Sequence, residues 1–196
     1  DGWYGSFFNF KDWKNQSDLE KQLKLISDVK KQFAQKNAPK AVIGSFATHD
    51  QVSPIITGGM PFADMIIWLQ STLPVNSYFV DGFQTGDSYQ YQYENQKADK
   101  SYTDDEYYYV HKGKFDIFNF SRKPGSMNSK LLEDFSTANK FKSMASEILD
   151  KGTITFLKTN NKDVFAYMIT YRYSSIMVIL NKDLVYNNNA LLTAKS

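Results

Sequence analysis

The sequence contains no cysteine, which excludes a disulfide framework, a thiolate nucleophile and a Cys-ligated zinc site. Redox usage therefore leaves the compartment open, with a secreted or periplasmic location the favoured reading. Histidine is scarce as well: His49 and His111 are the only two. A His-Asp metal site of the phosphohydrolase kind needs more ligands than that. Long apolar runs are missing, the longest, around Met65 to Leu69, falling far short of the roughly twenty residues that span a bilayer. The first residues show no signal-peptide apolar region. Charge of one sign is missing too, since 23 basic and 21 acidic residues are interspersed and leave a net charge of +2. No basic stripe for phosphate neutralisation results. Neither nucleic acid nor a membrane is an expected partner.

What is present is enough apolar material for a core: 42% of the 196 residues are hydrophobic, a composition of globular chains. Aromatics reach 16%, with 13 Tyr concentrated in one segment, a bias that suits stacking on flat amphipathic ligands such as sugars. The chain opens at Asp1 without Met, and a preceding segment is expected.

Periodicity organises the chain. Trp3 to Phe10 is an aromatic run of strand length, and Ser17-Asp18-Leu19-Glu20 reads as a capping box. The helix it opens carries Leu19, Leu23, Ile26, Val29 and Phe33 on one face and ends near Pro39. Ala41 to Phe46 then reads as a buried strand, ending in the polar cluster Thr48-His49-Asp50-Gln51. Gly58-Gly59 and Pro61 introduce an apolar helix, Phe62 to Leu73, stopped by Pro74; Trp68 on it, like Trp3 and Trp13, reads as core. Asn76 to Phe83 is the next expected buried strand. Alternation of strands and helices with short connections argues for a parallel sheet. From Asp87 to Lys114 periodicity gives way to a Tyr-rich loop with the acidic run Asp104-Asp105-Glu106, which reads as solvated surface. A long helix is expected from Asn128 or Ser129 to Gly152 at its C′ position. Beyond it the period becomes two, with strands at Thr153 to Leu157, Val164 to Tyr171 and Ile176 to Leu180. Turns are expected at Asn160 to Asp163, Tyr173 to Ser175 and Asn187 to Asn189.

Four of these pieces, in order, resemble the α-amylase family of glycoside hydrolases. Phe46-Ala47-Thr48-His49-Asp50 is similar to that family's motif at the end of the seventh barrel strand, an apolar residue followed by Asn-His-Asp. Met65 to Gly86 resembles the seventh helix and eighth strand, where an aromatic strand is followed by G-x-E-x-G. Asp116 to Arg122 with the helix from Asn128 resembles the eighth helix region, and the segment after Gly152 resembles the C-terminal β domain. Thr48 stands where the family has Asn, and Gln84 where it has Glu. The resemblance implies an α/β fold. Residues 1–151 would be part of a TIM (β/α)₈ barrel, strands six to eight, with the Tyr-rich loop at 87–114. Residues 152–196 would be a small antiparallel β-sandwich domain.

The resemblance also implies a retaining glycosidase or transglycosidase acting on α-glucosidic linkages of α-glucans or maltooligosaccharides, in starch or glycogen degradation. Such cleavage needs one carboxylate to attack the anomeric carbon and another to protonate the leaving oxygen. Both are implied on strands upstream of residue 1, in a missing N-terminal half. Asp50 is the implied third carboxylate, which stabilises the transition state by holding the sugar as its ring flattens. His49, Gln51, Tyr78 and Gln84 are the implied substrate-binding residues. No cofactor is expected, and calcium is left open. Read without the resemblance, His49-Asp50 is equally a capping pair after a strand. The competing functional class is a carbohydrate-binding or interaction module without a hydrolytic centre.

Overall fold

A computed structural model describes residues 3–6, 13–35, 42–46, 54–80, 82–86 and 128–194. Strand β1 (Trp3–Ser6) lies within the expected aromatic strand. Helix α1 (Gln16–Gln35) buries Leu19, Leu23, Ile26 and Val29, as the apolar spacing requires. Its cap lies two residues earlier than expected. Asn15 Oδ1 accepts the Ser17 N–H at 2.9 Å, and the Asp18 carboxylate reaches back to the N–H groups of Lys14 and Asn15. The reciprocal pair is thus Asn15 and Asp18, not Ser17 and Glu20; Glu20 turns inward and is buried.

Strand β2 (Val42–Ser45) is the centre of a parallel sheet of order β1-β2-β3. Trp3 pairs with Val42 on one side and Ile43 with Asn76 on the other. The next helix, α2 (Pro54–Thr72), starts eight residues before the expected Phe62, and it is broken at Gly59, whose φ of 75° suits glycine. Pro61 follows in the first turn of the second stretch, where a missing N–H is harmless. Strand β3 (Asn76–Ser77) is only two residues long, where a buried strand to Phe83 was expected. Gly82 and Gly86, at φ 92° and 79°, flank a 3₁₀ turn over Phe83–Thr85 that diverts the chain from the sheet. Phe83 folds inward, stacking on Phe79 at 5.5 Å, and Phe79 meets Phe135 edge-on at 4.9 Å.

The expected long helix is two. In α3 (Ser129–Met144) the Asn128 side chain caps the N-terminus by accepting the Leu131 N–H at 2.9 Å. Ala145 then leaves helical geometry, and α4 (Ser146–Lys151) follows. Beyond Gly152 come β4 (Thr153–Thr159), β5 (Val164–Tyr171), β6 (Ser174–Asn181) and β7 (Leu192–Ala194). They form an antiparallel sheet of order β6-β5-β4-β7. The β5–β6 turn is Arg172-Tyr173, not Tyr173 to Ser175, because Tyr171 pairs with Ser174 and Arg172 takes the positive φ of 53°.

The chain is therefore mixed α/β, and one apolar core runs through it. Leu23 and Ile26 of α1, Ile66 and Leu69 of α2, and Phe165, Tyr167 and Ile169 of β5 belong to a single cluster. A side chain also splices the two layers together. Past Phe156, β4 stops pairing with β5 and turns to β7. The Gln16 amide takes the vacated place: its Nε2 donates to Ala166 O at 2.6 Å, and its Oε1 accepts the Ala166 N–H at 2.8 Å. Without it two buried backbone groups would lose their partner.

Candidate functional site

The C-terminal ends of β2 and β3 lie side by side, and their geometry is set from below by one residue of α2. Gln70, 0% exposed, donates from Nε2 to Gly44 O and to Tyr78 O, both at 2.9 Å. Gly44 O also accepts the Tyr78 N–H at 3.0 Å. A neutral amide with both N–H groups committed to carbonyls holds the exit of β3 against β2 without bringing a charge inside. Its Oε1 is buried and has no hydrogen-bond partner among the described residues. The turn of α2 that carries Gln70 is itself fastened from α3: Lys142 Nζ donates to Gln70 O and Leu73 O, both at 2.9 Å. Burial, with the nearby Lys30 ammonium a lesser cause, lowers the Lys142 pKa to about 8.

Of the residues singled out in the sequence, Tyr78 stands directly at this strand end and is 40% exposed. Gln84 is half-buried at the centre of the 3₁₀ turn, beyond the strand where it was expected. That turn is wedged between helices. The Asn128 N–H at the start of α3 donates to Thr85 O at 2.6 Å, and a Cβ on Gly86 would meet Met60 Cε at 2.7 Å. His49, Asp50 and Gln51 fall in 47–53, between Phe46 and Pro54, outside the described residues. So do the Tyr-rich segment 87–114, with its acidic run, and His111.

Sequence reasoning missed Gln70 and Asp64, though both carry a signal: Asp64 is the only charged residue of α2, and Gln70 breaks an apolar run. Trp68 is corrected in the other direction. It is 37% exposed, because α2 has more apolar residues than its inward stripe can use; Trp13, in contrast, is buried as expected. A cleft of about 1160 Å³ opens at the opposite end of the parallel sheet. Val42 and Asn76 at the strand starts, Ile26, Lys30, Lys142 and Phe156 line it. Among the described residues no group of three His, Asp or Glu side chains is placed to hold a metal ion, and no helix is long and apolar enough to cross a membrane.

No protein-family model and no curated protein matches the sequence. In fold, the chain is similar to a mutant isomaltulose synthase from Erwinia rhapontici NX5 in complex with its natural substrate sucrose. The TM-score is 0.50 at 16% identity, covering 87% of this chain and 39% of that one. A second mutant of that enzyme, in complex with D-glucose, gives a TM-score of 0.48 at 16% identity, with the same coverage of 87% and 39%. This chain thus spans well under half of the enzyme it resembles, and the likeness is one of fold. Isomaltulose synthase is an α-amylase-family enzyme, so the structure resembles a portion of a member of the same family that the sequence motifs resemble, consistent with a C-terminal portion.

Proposed function

We propose that this chain is the part, from the sixth barrel strand onward, of an α-amylase-type glycosidase or transglycosidase acting on α-glucosidic linkages. The observation that carries the reading is topological. β2 is the central strand of a parallel sheet, His49-Asp50 follows shortly after its C-terminal end, and the β3 end carrying Tyr78 lies beside it. Polar residues just past the C-terminal ends of parallel strands are where α/β barrels place their chemistry.

On this reading the nucleophile and the acid/base carboxylate come from strands that precede residue 1. Asp50 holds the sugar hydroxyls more tightly as the ring flattens toward the oxocarbenium-like state, and that differential binding lowers the barrier. His49 and Gln51 orient the same sugar, Tyr78 offers an aromatic edge to it, and Gln84 supplies a neutral amide where the family has a carboxylate. The chemistry uses no cofactor.

The test is Asp50→Asn in the protein that carries the upstream strands, assayed for turnover of sucrose and of maltooligosaccharides. The expected result is a fall in kcat of about a thousandfold, equivalent to about 4 kcal/mol of transition-state stabilisation. A fall of less than tenfold defeats the assignment. Thr48 and Gln84, which depart from the family pattern, favour the second reading, a carbohydrate-binding module. An intact mass equal to the 22.6 kDa of this chain, with maltooligosaccharide binding and no turnover, is the result that selects it.

A further inference from the structure

The cleft at the strand starts, opposite the candidate site, carries more positive than negative charge. Three carboxylates among the described residues line it, and each is paired with a lysine that lines it too. Asp28 meets Lys31 at 3.8 Å, Asp150 meets Lys30 at 2.9 Å and Glu147 meets Lys151 at 3.1 Å. Two lining lysines are left over. Lys24 of α1 lies over the Phe156 ring, 5.6 Å from its centroid, and Lys142 of α3 donates to the carbonyls Gln70 O and Leu73 O. Neither has a carboxylate partner among the described residues.

Lys142 sets the polar end of the cleft. An ammonium has three N–H donors, and the two carbonyls of α2 take two of them, so one remains for a ligand. A half-buried cation with no counter-charge is costly, a cost visible in the lowering of its pKa to about 8 by burial. The cleft supplies an apolar wall as well, since Phe33, Ile154 and Phe156 line it and are only partly buried against the core. Its volume of about 1160 Å³ is ample for a small organic molecule.

We propose that this cleft binds a small organic phosphate monoester, its phosphate on the remaining N–H of Lys142 and its apolar body against Phe156 and its neighbours. Charge selects the class. Two lysines without counter-ions favour a ligand of charge near −2, which a phosphate monoester carries at neutral pH and a monocarboxylate does not. A neutral sugar, the ligand of the reading above, has no charge to offer these lysines. The inference does not depend on that reading, because the cleft lies at the opposite end of the sheet and uses none of its residues.

Titration calorimetry of the protein with phenyl phosphate, at neutral pH and fixed ionic strength, tests this. Saturable one-to-one binding is expected, with a Kd of about 1 mM or tighter. Benzoate, with one charge, and inorganic phosphate, with no apolar body, are each expected to bind at least about tenfold more weakly. Lys142→Met is expected to weaken phenyl phosphate by about tenfold or more and Lys24→Met by less. Lys140→Met, which removes an exposed lysine of α3 outside the cleft lining, is expected to leave binding unchanged. In the wild type, saturating phenyl phosphate is expected to raise the Lys142 midpoint in an ε-¹³C NMR titration from about 8, since a neighbouring anion favours the ammonium. No saturation up to about 10 mM phenyl phosphate overturns the proposal. So does a Lys142 midpoint that the ligand leaves in place, binding indifferent to Lys142→Met, or equal affinity for benzoate or inorganic phosphate. The wild-type titrations decide even if the variants do not fold.

Discussion

Gly152 ends α4 with an ordinary extended backbone, φ −72° and ψ 155°, so its dihedrals do not demand glycine. Its surroundings do: a Cβ there would overlap Ile148 O and Ile169 Cγ2, one a backbone atom of its own helix and the other the core of β5. The sequence pattern of a helix followed by glycine points to the left-handed C′ position, and here the residue serves instead to let a helix end press onto a sheet. Gly152→Ala is expected to lower stability by about 1–3 kcal/mol, the usual range for forcing a carbon into a packed interior, read as a lower urea midpoint with an unchanged m-value. Single residues were legible where their role is periodic, as for Leu19, Leu23 and Ile26. Gln70 was not, because its partners Gly44 and Tyr78 lie 26 and 8 residues away, and only tertiary structure brings two strand ends under one amide. For the candidate site, Tyr78 stands at a strand end, whereas Gln84 does not, since the glycines on either side of it curl the chain into a turn.

At the scale of elements, existence and type were read well and boundaries less so. The change of period at Gly152 located the antiparallel sheet because the short apolar run of β5, buried along most of its length, and the alternating burial of β6 are local properties of each strand. The extent of β3 was misread because Tyr78, Phe79 and Phe83 look like a strand, yet aromatic residues can pack on each other in a turn as well as in a sheet. The α2–α3 pairing offers a pH test at this scale. Lys142 of α3 donates to the last carbonyls of α2 while largely buried, and burial brings its pKa from 10.5 to about 8. The folded chain thus gives up a proton that the unfolded chain keeps between those values, so stability rises with pH across that window and is flat with respect to this group below it. The full rise is on the order of 3 kcal/mol at 1.36 kcal/mol per pKa unit. Urea midpoints from pH 7 to 10.5 are expected to show it in the wild type, and Lys142→Met to remove this contribution; an equal slope in the variant contradicts the assignment.

For the whole molecule the question is how the two sheets and four α-helices of the described residues hold together. The antiparallel sheet does not stand apart: β5 gives Phe165, Tyr167 and Ile169 to the cluster that also holds α1 and α2. The Tyr167 hydroxyl donates to Thr72 O at 3.2 Å, and Gln16 completes the ladder at Ala166. The parallel sheet is less well closed. In the order β1-β2-β3 only β2 has a strand on both sides, and among the described residues nothing pairs with the outer edges of β1 and β3. Exposed strand edges present unpaired N–H and C=O groups that invite another strand. On the proposed reading, such edges stand where the neighbouring strands of a closed barrel would pair. We therefore expect the isolated chain to associate at micromolar concentrations and above, seen as concentration-dependent species heavier than the 22.6 kDa monomer in sedimentation velocity. Adding a polypeptide that supplies the preceding strands is expected to replace those species with a one-to-one complex, because edges satisfied by their own neighbours no longer recruit copies. A strictly monomeric chain over the same range, unfolding in one transition, would mean that the edges of β1 and β3 are already covered and that the three strands do not belong to an open half of a barrel.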